Sequence, residues 1–321
     1  MAKYFYLRLI LLYCTFAISI ANTASAYGDE LDLSNYDADV AALLKEYQGQ
    51  DSSSRPIMPS VLVFNDNDQV STYVDFKRGI ILVETSSKAQ LKQAVVQVLL
   101  TQINPKVIDA QTAEDFGLIS KRKKPFFWGQ ILDQDGKAIE YEWRASRYAE
   151  HLVSNSQQVD SRFRTVIKMV EQHTQIASSK YIGYARSASD RYGISIDLIM
   201  AIIETESSFN PLARSRSNAL GLMQIKANTA GRDYFSVVKG YPHTPSSAYL
   251  YDPEKNIDVG TGYLNILSNR YLSGIHHLKK REYAVISSYN GGAGNLWRSL
   301  DPKGNRTKAL ARINKMTVSE F

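Results

Sequence analysis

The stretch AIIETESSFNP, residues 201–211, carries an aliphatic run into two glutamates, Glu204 and Glu206, just before an Asn-Pro break. Ser195 follows the break at Gly193 and suits an N-cap, so the spacing predicts a helix from Ile196 to about Glu206. Along that helix Ile199, Ile202, Ile203 and Glu206 fall at i, i+3, i+4 and i+7, which sets Glu206 at the end of the apolar stripe. Glu204 is turned roughly 200° away, beside Asp197, Met200 and Ala201. Glu206 is therefore the carboxylate aimed inward. Apolar surroundings disfavour the charged form and raise a carboxyl pKa, as a general acid working near neutral pH requires. The same spacing also suits a helix-end glutamate paired with Arg214 or Arg216, and spacing alone favours that plainer reading.

From about Ser178 onward YIGYARSASDRYG, SIDLIMAIIETES, NIDVGTGYLNILSNRYL and REYAVISSYNGG all read as helices. Upstream the texture differs. SVLVFN (60–65) and TYVDFKRGIILVET (72–85) are β-branched runs, with Arg78 and Gly79 marking a turn between strands. SSKAQLKQAVVQVLLTQ has apolar residues at 91, 94, 95, 98 and 99 behind Ser86 or Ser87 as cap, which is one helix face. In FFWGQILDQDGKAIEYEW (126–143) two apolar-aromatic runs flank Asp135-Gly136, a hairpin signal. Trp128 and Trp143 read there as core or sheet-face residues rather than as a binding platform. A short helix at 145–154 and a strand at 164–170 complete an α+β unit. The KRKK run at 121–124 reads as a solvated loop.

With 321 residues, two domains are the default expectation. The first residues, through Ala26, hold Lys3, Arg8, an apolar run and the small residues ASA, which is the pattern of a secretory signal cut before Tyr27. Residues 27–58 are polar, with one helical candidate at 39–48. The division expected is 1–26 signal, 27–177 an α+β domain, and 178–321 an all-α domain. Cys14 is the only cysteine, so the mature chain has none, and packing alone must hold an exported fold. Tyr13 disfavours lipidation at Cys14, where a small residue is wanted. The net charge of +6 stays positive without Lys3 and Arg8, suiting an anionic polymer or membrane surface. His151, His173, His243, His276 and His277 show no metal-ligand spacing, and GGAG and GTG follow no strand. No cofactor is expected, and no nucleic-acid reading motif accompanies the basic balance.

Four motifs narrow the function. Glu-Ser-x-Phe-Asn-Pro (206–211), Ala-x-Ser (213–215), Gly-Leu-Met-Gln (221–224) and Tyr-Asn-Gly-Gly (289–292) occur in order. Together they resemble the lytic transglycosylases, relatives of goose-type lysozyme that cut the glycan strand of peptidoglycan. YDPEKNIDVGTGYL (251–264) is similar to the segment of that family that leads into a helix, and the α+β region looks like the N-terminal domain of membrane-bound lytic murein transglycosylase C. The resemblance runs from about Ser60 to the end of the chain. It implies a lysozyme-like helical catalytic domain and Glu206 as catalytic acid and base. It also implies Ser215, Met223, Gln224, Tyr289 and Asn290 as substrate-binding residues, peptidoglycan glycan strands as partner, and a periplasmic location with outer-membrane association as an option. The family works without a second carboxylate and forms 1,6-anhydro sugar ends. MTVSEF ends the chain where family members continue, so a truncated cleft is an expectation too. A non-catalytic peptidoglycan-binding scaffold and a lysozyme-type hydrolase stay open as alternatives.

Overall fold

The computed structural model describes residues 59–66, 69–102, 124–159 and 161–321. The signal segment, the helical candidate at 39–48 and residues 121–123 of the basic run lie outside the described residues.

Strands β1 (Val61–Asp66), β2 (Val70–Asp75) and β3 (Ile80–Thr85) meander into helix α1 (Lys88–Leu100). Helix α2 (Glu142–Ser154) and strands β4 (Gln157–Val159) and β5 (Arg162–Lys168) follow. The sheet runs β1-β2-β3-β5-β4 with every neighbouring pair antiparallel. Alternation along β2 and β3 sends Val74, Ile81 and Val83 onto α1 and α2, where Leu91, Val95, Val98, Ala145 and Ala149 meet them. Tyr73, Ile80 and Leu82 gather on the opposite face. Ser87 caps α1 as its side chain accepts from the Gln90 amide, and the apolar positions expected of that helix are its buried ones.

Two readings of this region are corrected. The Asp135-Gly136 turn forms, with Gly136 at positive φ, but it carries only isolated bridges, Leu132 to Ala138 among them, rather than paired strands. The reason is local: Asp133 folds inward, accepts from the Asp135 and Lys137 amides and pairs with Arg144, which fixes a tight loop. Trp143 is not a core residue. It is 57% exposed in the first turn of α2, with the Arg144 guanidinium 4.5 Å from its ring. Trp128 is half-buried beneath the Lys124 ammonium.

Residues on both sides of the expected boundary at 177/178 fold as one helix, α3 (His173–Ser179). The His173 ring lies against Gly79, within hydrogen-bond reach of the Val170 and Phe76 carbonyls, so a Cβ at position 79 would sit 2.7 Å from it. Lys180 donates to the Phe126 carbonyl, and its burial lowers its pKa from 10.5 to about 8. Helices α4 (Ile182–Tyr192) and α5 (Ile196–Ser207) open the helical unit. Next come a two-residue strand pair, β6 (Ala219–Leu220) with β7 (Ile225–Lys226), and a winding segment from 227 to 239. Helices α6 (Ser247–Tyr251), α7 (Pro253–Ile266), α8 (Leu278–Gly291), α9 (Ala293–Leu300) and α10 (Arg306–Lys315) complete it. Its core packs Ile199 and Ile203 of α5 with Leu222, Met223, Ile257, Leu264 and Ala284. No described helix is long and apolar enough to cross a membrane.

Candidate active site

Helix α5 begins as its sequence predicts, with the Ser195 hydroxyl accepting from the Leu198 amide at 3.2 Å. It ends sharply: Ser208 and Phe209 both take positive φ, and the Phe209 ring stacks on Tyr181 at 6.4 Å. Past that turn Asn210, fully buried, donates to the Pro59 carbonyl at 2.8 Å and accepts from the Leu212 amide at 3.0 Å. Glu206 therefore sits in the last helical turn before a strained, well-anchored corner.

The apolar stripe divides more finely than the spacing suggests. Ile199 and Ile203 face the core with no exposure, whereas Leu198, Ala201, Ile202, Thr205 and Glu206 line a cavity of about 20 Å³ closed from the other side by Ile286, Tyr289 and Asn290 of α8. That volume suits one water molecule or one polar atom of a ligand. Glu204 is absent from the lining.

Neither Arg214 nor Arg216 pairs with Glu206 among the described residues: the Arg214 guanidinium bonds Asn218 instead, at 2.9 Å. No hydrogen bond reaches the Glu206 carboxyl among these residues either. Burial then dominates, and it raises Glu206 from 4.5 to about 7. Among the described residues no second carboxylate contributes to that shift. The Tyr289 hydroxyl donates to the Met223 carbonyl at 2.7 Å; burial first, then the Glu206 charge and Tyr263, hold its proton well above the ordinary range.

The remaining expected site residues separate by role. Met223 is fully buried, its sulfur packed where Gly260 leaves room, and it touches the site through its carbonyl. Gln224 takes a left-handed φ of 48°; its amide nitrogen donates to the Gly221 carbonyl, while its buried Oε1 meets no partner among the described residues. Ser215 spends its hydroxyl on the Ala219 amide at 3.0 Å, closing a turn beside Ser217. Asn290 is exposed at the cavity mouth.

Two residues escape the sequence reading. Tyr263 of α7 meets Tyr289 with ring centroids 6.0 Å apart. Asn256, 1% exposed, accepts from the Met223 amide and donates to the Leu220 and Leu250 carbonyls, so it ties the Gly-Leu-Met-Gln turn to α7. The one signal for Asn256 is an amide on the otherwise apolar face of NIDVGTGYL.

The Tyr289 bond gives a direct test. Tyr289→Phe strips the Met223 carbonyl of its donor, and an unsatisfied buried carbonyl costs about 1–3 kcal/mol. Denaturant unfolding should register that loss; an unchanged midpoint would mean that water replaces the phenol.

Comparison with known proteins agrees with the geometry. Residues 183–311 match the Transglycosylase SLT domain family, and residues 40–180 match the family described as Membrane-bound lytic murein transglycosylase C, N-terminal domain. Proteins named membrane-bound lytic murein transglycosylase C from Yersinia pestis (strain Pestoides F) and Yersinia pseudotuberculosis serotype O:1b (strain IP 31758) are each 43% identical over 266 residues, covering 80% of this chain and 73% of the relative. The chain, with its glutamate-bearing helix and its α+β unit, belongs to the family of membrane-bound lytic murein transglycosylase C.

Proposed function

We propose that Glu206 alone supplies the acid and then the base for cleavage of the β-1,4 bond between N-acetylmuramic acid and N-acetylglucosamine. Family membership makes the chain a peptidoglycan lytic transglycosylase, a lyase. In the first step the Glu206 carboxylic acid gives its proton to the glycosidic oxygen as the C1–O bond breaks, and the bonding pair leaves with that oxygen. The substrate's acetamido oxygen shields C1. The Glu206 carboxylate then takes the proton of the muramic C6 hydroxyl as O6 bonds to C1, which yields a 1,6-anhydro end, regenerates the acid and consumes no water. A hydroxyl held within the same sugar outcompetes solvent on entropic grounds.

One observation carries this reading: a carboxyl in an apolar cavity, with no ion-pair partner among the described residues, raised to about 7 by burial. Among the described residues no second carboxylate shifts the Glu206 pKa, which favours a single glutamate over a lysozyme-type pair, whose partner stands about 5 Å or roughly 6.5–9.5 Å away. In the proposed roles Tyr289, Asn290 and Gln224 hold the sugar, and Ser215 shapes a turn beside them. Met223 acts as a positioning residue through its carbonyl. The signal pattern at 1–26 and the relatives' membrane-bound name support an exported, periplasmic protein associated with the outer membrane.

Mass spectrometry of muropeptides released from purified peptidoglycan tests the reaction. Anhydro ends are expected; reducing ends would make the chain a hydrolase, and no release a binding protein. The acid role also fixes a pH profile. Glu206 holds its proton below about 7, so kcat/KM should be flat on that side and fall up to ten-fold per pH unit above it. A break near 4.5 instead would mark an ordinary, solvated carboxyl.

A further inference from the structure

Helix α10 carries charge that its own fold does not use. Lys303, Arg306, Lys308, Arg312 and Lys315 follow one another with no acid between Asp301 and Glu320. The helix buries Ala309 and Ile313 against the helical core, and all five cations are exposed. Where the two arginines bond, they meet neutral carbonyls: Arg306 donates to Tyr271 and Arg312 to Leu300, each at 3.0 Å. None of the five forms an ion pair among the described residues. Glu320 is turned to Thr317, accepting from its amide at 2.7 Å and its hydroxyl at 3.0 Å.

Helix electrostatics does not ask for this arrangement. Arg312 and Lys315 suit the last turn, at the negative end of the helix dipole. Arg306 and Lys308 occupy the first turn, where the dipole favours acids and none is present, and Lys308 repels Arg312 at i, i+4. Charge held against the preference of the helix points to a counter-charge from outside the chain. Lys308, Arg312 and Lys315 fall at i, i+4 and i+7, and with Ala311, Met316 and Glu320 they line an open groove of about 610 Å³. The helix is also tied along a neighbouring segment: Arg306 holds Tyr271 at one end, and at the other Asn314 accepts from the His276 amide and donates to the Gly274 carbonyl. That segment leads into Leu278, which at 76% is the most exposed large apolar side chain among the described residues.

We propose that the cationic face of α10 docks the helical unit onto an anionic phospholipid surface, its lysines and arginines on the headgroup phosphates and Leu278 at its border. The cations run the length of the helix, roughly 15 Å at 1.5 Å per residue, and long arms spread over that distance on a convex surface match a plane of phosphates. Guanidinium and ammonium groups both bind phosphate oxygens well. An exposed leucine beside a basic helix is the apolar companion that interfacial helices use. The contact is separate from any attachment through residues 1–26 and does not depend on the reading of Glu206.

The test uses the full chain with two kinds of vesicle: phosphatidylethanolamine containing about one quarter phosphatidylglycerol, and phosphatidylcholine alone. Co-sedimentation should favour the anionic vesicles, and hydrogen exchange at residues 303–316 should slow when they are added. The double variant Lys308→Gln/Lys315→Gln keeps helix propensity and removes two ammonium groups that hold no partner among the described residues, so its fold should stand. It should bind the anionic vesicles about thirty-fold more weakly, since each cation near such a surface contributes about five-fold, and bind the neutral ones as the parent does. Equal binding of parent and variant to anionic vesicles, equal binding of the parent to both kinds, or unchanged exchange at 303–316 overturns the docking. Exchange slowed by purified peptidoglycan and not by vesicles would assign the face to cell-wall carboxylates and overturn it too. The exchange measurement needs only the parent chain, so it decides the matter if the variant misfolds.

Discussion

Glu206→Gln should cut the release of anhydro-ended muropeptides by about 10²–10⁴-fold, the span that general acid–base catalysis contributes, while glycan binding persists. The argument starts with isolation. The carboxyl lies among Leu198, Ile202 and Ile286 with no cation and no hydrogen-bond donor against it among the described residues, so burial alone sets its proton affinity. Gln keeps the shape and cannot transfer a proton. The substitution should also stabilise the fold, with a definite pH signature. The folded carboxyl titrates at about 7 against 4.5 unperturbed, so between those values the folded chain binds more protons than the unfolded one. Stability conferred by the protonated form is complete below about 4.5, declines as pH rises to about 7, and stays low above. Chemical denaturation at pH 8 should therefore show Glu206→Gln more stable by about 1–3 kcal/mol, and the two proteins should coincide at pH 4. Retention of a tenth or more of the cleavage activity would place the acid elsewhere. Equal stability at both pH values would mean that the carboxyl is solvated.

Features written in local spacing were legible without coordinates. Ser195 as cap, the run of α5 and the choice of Glu206 over Glu204 all depend on residues within one helix, as do the apolar face of α1 and the turn at Arg78-Gly79. The same locality misleads where a distant partner decides. Trp143 reads as interior because aromatic residues beside a Asp-Gly turn usually pair across a hairpin, yet the Asp133–Arg144 pair pulls that segment into a loop and leaves the indole on the outer face of α2. The β6–β7 pair is two residues a side, too short for alternation to register. The division of the stripe between core and cavity depends on α8, some eighty residues downstream, as the Ile286, Tyr289 and Asn290 lining makes plain. Tyr263 acquires meaning only through α8, whose Tyr289 ring lies 6.0 Å from it.

The Asn256→Ala chain should be destabilised by about 3–5 kcal/mol, enough to threaten folding in a domain of ordinary marginal stability. One side chain here satisfies three backbone groups: the Met223 amide at 2.8 Å and the Leu220 and Leu250 carbonyls at 2.9 and 2.6 Å. All are buried, so water cannot replace the amide without a cavity to hold it. The packing is tight on the same side: Gly221 stands at φ +73, and a Cβ there would lie 2.3 Å from the Asn256 amide nitrogen. Because Met223 also accepts the Tyr289 phenol, loosening this turn reaches the Glu206 cavity in one further step. Asn256→Asp separates the two halves of the effect. It keeps the acceptor for the Met223 amide, loses the donor to Leu220 and Leu250, and sets a carboxylate against two carbonyls, so it should destabilise at least as much near neutral pH and recover as acid protonates it. Thermal melts of both variants across pH 4 to 8 check this pattern. Melting temperatures within about 2 °C of the parent would show that the turn holds itself, and that its grip on Tyr289 does not depend on α7.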